Sequence, residues 1–260
     1  MKIQSRQIRT SLPRLLKSLA FVLALLTAPL LSTAATLVFI GDSITDGNWG
    51  TRSSVASNLR NHGDYNHIFG HGYMEMTAGF FMSTFPSLDL TFYNRGIGGQ
   101  TLTDIAARWQ EDVIDLRPDV VFLLAGTNDV HYHLDHPERP FSVEAVKATL
   151  DSLVTVTRRD LPDAKIIIGT PFVARAGWVG ETPTFDERAR LVAEIAQAYR
   201  EVASARNLEI VPFDTLVASL IARGPRPEYW IWDGIHPTTA THYRMSQLLI
   251  PFISSALPAQ

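Results

Sequence analysis

Four short stretches of this chain carry residues whose types and spacing permit acyl transfer. Gly41-Asp42-Ser43-Ile44-Thr45 presents a serine hydroxyl in a turn. Asn94-Arg95-Gly96-Ile97-Gly98-Gly99-Gln100-Thr101 is rich in glycine, and Gly126-Thr127-Asn128-Asp129 sets a side-chain amide behind a small residue. Near the C-terminal end, Asp233-Gly234-Ile235-His236-Pro237 places a carboxylate three residues before an imidazole. A serine hydroxyl is a poor nucleophile until a base takes its proton. His236 is the candidate base, and Asp233, one turn away, can reach the other ring nitrogen, fix the tautomer and stabilise the imidazolium. The N–H of Ser43, the N–H of Gly99, which no side chain blocks, and the amide of Asn128 would make a three-donor oxyanion hole. One such donor contributes about 2.7–4 kcal/mol to lowering a barrier of this kind. Each stretch alone is a weak signal; all four in this order are a strong one.

The elements that must bring these stretches together alternate. Thr36 to Ile40, Leu88 to Tyr93, Asp119 to Leu124, Lys165 to Gly169 and Leu208 to Val211 read as strands, the third almost wholly apolar, as in a sheet covered on both faces. Between and after them, residues 72–84, 101–116, 143–154 behind a Ser142 cap, 185–206, 214–223 and 239–256 read as helices. Strands separated by helices imply right-handed crossovers and one parallel sheet between helix layers, a single domain over 36–260. In such sheets ligands bind beyond the carboxyl ends of the strands, where the first three stretches fall. Residues 46–71 have no clear periodicity, and loops of that length are often functional.

Charge is unevenly distributed. Residues 1–35 carry Lys2, Arg6, Arg9, Arg14 and Lys17 and no acid, a net +5; the rest holds 18 basic and 26 acidic side chains, a net −8. That body is poorly suited to nucleic acid or an anionic membrane. The basic stretch runs into an apolar segment, Leu19 to Leu31, and then Ser32-Thr33-Ala34-Ala35. This pattern describes a secretory signal over 1–35, cleaved after Ala34 or Ala35. The apolar run falls short of the roughly 20 residues a membrane span needs. An uncleaved anchor or a buried first helix is the competing reading. The chain has no cysteine, which removes disulfides, cysteine nucleophiles and thiolate metal sites.

The four stretches resemble the SGNH hydrolases, also called GDSL esterases, and the resemblance extends over essentially all of 36–260. Gly41-Asp42-Ser43 is similar to the family's first block, with Ser43 as nucleophile; Asn94 to Thr101 to the second, with Gly99 in the oxyanion position; Gly126 to Asp129 to the third; and Asp233 to His236 to the Asp-x-x-His block. The resemblance implies an α/β/α sandwich around a five-stranded parallel sheet of flavodoxin-like order, and no metal or other cofactor. Gly72-Tyr73, Arg108 to Val113, Pro118-Asp119-Val120, Asn128-Asp129-Val130, Thr170-Pro171-Phe172 and Trp232-Asp233 are similar to bacterial SGNH acetylxylan esterases. That likeness implies a serine esterase acting on short acyl esters, O-acetyl above all, of a small or polymeric carbohydrate; the signal pattern adds a secreted or periplasmic location. The chain departs from those enzymes in the expanded 46–71 stretch and at His131, where an aromatic is expected.

Other residues carry two readings. Asp42 and Asp129 read as turn acceptors rather than as the triad acid. Asp46, Trp49, Trp230, Trp232 and His131 are candidate substrate contacts; Tyr229, Trp230 and Trp232 could equally close a core, Trp232 as a packing wall behind the triad. His131, His133 and His136, and His62, His67 and His71, invite a zinc reading, but loop spacing cannot show the convergence zinc requires. They read as solvated or substrate-contacting. There is no G-x-G-x-x-G fingerprint and no G-x-S-x-G elbow. A lysophospholipase or thioesterase of the same fold, and a non-catalytic carbohydrate-binding module, are the alternatives.

Overall fold

The computed structural model describes residues 34–47 and 70–257. Residues 1–33, which hold most of the expected signal, together with Trp49, His62, His67 and most of the 46–71 stretch, lie outside the described residues. The chain order is β1 (Ala35–Gly41), α1 (Ser43–Asp46), α2 (Tyr73–Thr84), β2 (Leu90–Gly96), α3 (Leu102–Ala107), a π-helical turn (Gln110–Ile114), β3 (Val120–Leu124), α4 (Thr127–Asp135) and α5 (Val143–Asp160). It continues with β4 (Lys165–Gly169), α6 (Gly177–Gly180), α7 (Phe185–Arg206), β5 (Glu209–Val211), α8 (Phe213–Ala222), α9 (Pro227–Trp230) and α10 (Thr239–Ala256). The five strands of the described residues form one parallel sheet in the order β2-β1-β3-β4-β5, the three-layer, flavodoxin-like architecture. Among the described residues no helix is long and apolar enough to cross a membrane.

Alternation along each strand divides the core in two. Leu37, Phe39, Val120, Phe122 and Leu124 face a layer built from α2, α8 and α10, where Phe39, Tyr73, Phe122 and Phe213 pack ring against ring at centroid separations of 5.7–6.3 Å. Val38, Ile40, Val121 and Leu123 face α3, α5 and α7, whose apolar stripes include Ile105, Leu150, Leu153 and Ile195. Successive strand side chains point to opposite faces, so a strand buried on both sides must be apolar throughout. The Ser142 side chain caps α5 by accepting from the Ala145 N–H at 3.1 Å.

Several expected elements differ. β2 continues to Gly96 rather than stopping at Tyr93, because the glycine-containing block goes on pairing with β1 as far as Gly41. The single helix expected over 101–116 is two pieces. α3 ends at Ala107 with Arg108 as its C-cap, and a π turn opens at Gln110 behind Trp109, whose indole N–H reaches the buried Thr157 hydroxyl at 3.0 Å. Such turns often mark functional positions. Thr127–Asp135, expected as loop, is α4, and the short helices α6 and α9 lie where the sequence is too brief to show a period.

Phe122 is fully buried at the centre of the aromatic layer. Phe122→Ala should cost about 3–5 kcal/mol of stability, read as a lower urea midpoint with an unchanged denaturant slope.

Candidate active site

The strand order reverses between β1 and β3, and the crevice beyond their carboxyl ends is where an open α/β sheet holds its ligand. The turn after β1 carries Ser43 there, and the turn after β3 carries Asn128. Asp42 caps α1 by accepting the Ile44 N–H at 2.9 Å. Ser43 is the first residue of that helix, so its own N–H has no intrahelical partner.

The loop before α10 supplies the other groups. Asp233 is only 3% exposed. Its Oδ1 accepts the N–H groups of Ile235 (2.9 Å) and His236 (2.7 Å), and its Oδ2 lies 2.6 Å from His236 Nδ1. An ionised carboxylate only accepts, so Nδ1 carries the ring proton and Nε2 is left as an acceptor. The Ser43 hydroxyl lies 2.8 Å from that Nε2. The hydrogen bond to Asp233 raises the His236 imidazolium above its ordinary pKa. Burial alone would push the Asp233 carboxyl up, but the His236 ring and the two N–H donors outweigh it and hold it below the usual carboxylate range. The arrangement can take a proton from the serine oxygen and return it across a single short path.

The amide of Asn128 donates one hydrogen to the Gln100 carbonyl at 3.0 Å, and a side-chain amide has a second to offer. Gly99 adopts φ +80°, a left-handed conformation that favours glycine, with the Tyr132 hydroxyl the neighbour a Cβ would approach, at 3.0 Å. Asp129 behaves as a turn acceptor, taking the Leu102 N–H on both oxygens at 3.2 and 3.1 Å. Burial raises Asp42 to about 7 and Asp129 to about 6.

Residues that sequence reasoning missed hold these loops together. The Arg108 guanidinium donates to the Gly41 carbonyl (3.2 Å), to the Gln100 side-chain carbonyl (2.7 Å) and to the buried Asp112 carboxylate (2.5 Å), tying the serine turn to the Gly99 loop. On the opposite face the Thr45 and Tyr73 hydroxyls lie 2.7 Å apart, and the Tyr73 N–H donates to His242 Nδ1 at 3.1 Å. Burial lowers His242 to about 4 and keeps it a neutral acceptor. Asn94, inside the second block, donates to the Thr45 carbonyl (3.0 Å) and accepts the Gly96 N–H (2.9 Å). Arg108 stood out in the sequence only as part of a similar segment, and nothing around Tyr73 or His242 betrays a contact 169 residues apart.

The expected substrate contacts separate. Trp232, read both as a candidate substrate contact and as a packing wall behind the triad, is no packing wall: it is 57% exposed, its ring stacked on His236 at a centroid distance of 6.2 Å. Trp230 is structural: its indole N–H donates to the Gly224 carbonyl at 2.9 Å and its ring packs on the core. Asp46 is buried at the end of α1, where its backbone closes on Gly96. His131 is half-buried, with its Nδ1 2.7 Å from Arg188. Burial, with Arg188 and His236 adding to it, lowers its pKa. Among the described residues no three His, Asp or Glu side chains converge as a metal cage.

This sheet order and this Ser-His-Asp geometry define an SGNH-type hydrolase, and residues 39–244 match the model of the GDSL-like lipase/acylhydrolase family; the chain belongs to that family. An acetylxylan esterase of Geobacillus stearothermophilus is 32% identical over 220 residues, covering 82% of this chain and 91% of that protein. A solved structure of a catalytic mutant of Axe2, an acetylxylan esterase from the same organism, superposes with a TM-score of 0.71 at 28% identity, over 87% of this chain and 97% of that one. LAE5, an alpha/beta hydrolase enzyme from the metagenome of Lake Arreo, Spain, gives 0.70 at 29% identity, over 86% and 97%.

In a proton NMR titration His236 should titrate above the ordinary imidazole value of about 6.5. Asp233→Asn should bring the midpoint down, since an amide no longer favours the imidazolium. An unchanged midpoint would contradict the assigned cause.

Proposed function

We propose that the chain is a serine esterase that removes short acyl groups, chiefly O-acetyl, from carbohydrates, with Ser43, His236 and Asp233 as its catalytic triad. The observation that carries the reading is the unbroken path from the Ser43 hydroxyl to His236 Nε2 (2.8 Å) and from Nδ1 to Asp233 (2.6 Å). Ser43 Oγ attacks the ester carbonyl carbon as its proton passes to Nε2. The carbonyl oxygen, now negative, is held by the N–H groups of Ser43 and Gly99 and the amide of Asn128. Collapse breaks the bond to the sugar oxygen, which leaves with the proton from His236. A water molecule, deprotonated by the same ring, then releases the acid and restores Ser43. Asp233 orients the ring and stabilises its charged form without being protonated. The route needs no cofactor.

The carbohydrate reading is supported by the similarity to an acetylxylan esterase over 82% of the chain and by exposed indole surface beside His236. The test pairs p-nitrophenyl acetate and octanoate, with Ser43→Ala as control. Acetate should be the better substrate, and Ser43→Ala should lose at least about a thousandfold in kcat/KM. An octanoate preference of tenfold or more would favour a lipid-directed enzyme. Equal activity in both proteins would remove the catalytic reading and leave a binding module.

The reading includes export: residues 1–35 as a cleaved signal and 36–260 as the mature catalytic domain, secreted or periplasmic. N-terminal sequencing of the exported protein should begin at Ala35 or Thr36; an intact Met1 on exported protein would refute cleavage.

A further inference from the structure

The exposed indole of Trp178 sits on α6, which is pinned to the loop bearing Asp233 and His236. The Val179 N–H donates to the Asp233 carbonyl at 3.1 Å, and the Ala174 N–H to the Gly234 carbonyl at 2.9 Å. Gly177 takes φ +48° and packs so closely that a Cβ there would stand 2.6 Å from both the Asp233 Cα and the Trp232 carbonyl oxygen. α6 therefore moves with the triad loop or not at all.

The indole has a second support. Its ring meets His131 edge-on, with centroids 6.0 Å apart and planes at 69°. His131 is itself fixed. Arg188, 1% exposed, contacts Nδ1 at 2.7 Å, and a guanidinium only donates, so Nδ1 accepts and the ring proton sits on Nε2, facing Asp135 Oδ2 at 3.3 Å. Trp178 nonetheless remains 53% exposed and belongs to neither core cluster. Burial in the core does not account for so large an apolar ring held this firmly at the edge of the site.

We propose that Trp178 is the floor of a sugar subsite next to the scissile ester. Its indole face takes the C–H face of a pyranose ring, and the half-exposed Asp135 carboxylate beside His131 accepts from that ring's hydroxyls. The proposal rests on the carbohydrate-ester reading above. Pyranose rings offer an apolar face and a polar rim, which matches an aromatic plane edged by an imidazole and a carboxylate. A long acyl chain needs a continuous apolar groove, and here charged and polar groups interrupt the aromatic surface. Trp232, stacked on His236, and Trp178, behind the same loop, would then grip successive parts of one saccharide.

The test measures kcat/KM on acetylated xylotriose and on p-nitrophenyl acetate for wild type, Trp178→Ala and Trp178→Phe, with circular dichroism melts to verify folding. In Trp178→Ala the ratio of the saccharide value to the small-ester value should fall about tenfold, mostly through KM. Trp178→Phe, which keeps an aromatic face, should stay within threefold of wild type. A ratio within twofold of wild type in Trp178→Ala would overturn the subsite. So would an equal loss on both substrates, which would make Trp178 a brace for the Asp233 loop. If wild type cleaves p-nitrophenyl acetate but releases no acetate from the saccharide, the carbohydrate reading itself fails and takes the subsite with it.

Discussion

A carboxylate taken out of water must find its hydrogen bonds inside the protein, and the satisfaction of Asp233 organises this site. Two backbone N–H groups and one imidazole nitrogen converge on its two oxygens at 2.6–2.9 Å. These contacts hold the loop in one shape, orient the ring and fix its tautomer, so that the nitrogen facing Ser43 is the one able to accept a proton. Neighbouring segments then build on the same loop: its carbonyls at Asp233 and Gly234 take the N–H groups of Val179 and Ala174. One buried charge thus determines both the chemistry of His236 and the placement of the surface beside it.

The remaining groups arrive by topology. β1 and β3 are neighbours although β2 intervenes in the chain, and the reversal of strand order between these two parallel strands opens the crevice where Ser43 and Asn128 lie. Chain ends of strands are free to drift, and here they are tied. Arg108 spans the serine turn and the Gly99 loop from one face of the sheet, while Tyr73, Thr45 and His242 brace α1 from the other. The π turn after α3 begins two residues past Arg108, behind Trp109, which is anchored to Thr157. Irregular backbone in that segment coincides with the place where a side chain reaches both the serine turn and the Gly99 loop.

The legible parts were those in which function or period is written over a few adjacent residues. Short apolar stretches marked the strands, most clearly Val120–Leu124 at the sheet centre, because a strand buried on both faces must be apolar throughout. The Asp-x-x-His spacing was legible because its contact is local, three residues within one loop. Trp230 and Trp232 were not separable in the sequence. An indole can lie against a core or against water, and only tertiary packing decides: Trp230 packs on the core with its N–H on the Gly224 carbonyl, while Trp232 stays exposed.

The sequence by itself determined the succession of five strands and the long helices, the presence of a serine and its donors at strand ends and of an Asp-x-x-His pair near the C-terminal end, and the family they resemble, since these follow from local composition and spacing. The tertiary structure alone decided that Arg108, Tyr73 and His242 brace the loops, that Thr127–Asp135 is helical, and that Trp178 stands exposed on a rigid support beside the triad loop. Those outcomes depend on contacts between residues far apart in the chain, and such contacts leave no pattern in a sequence until the fold brings their partners within reach.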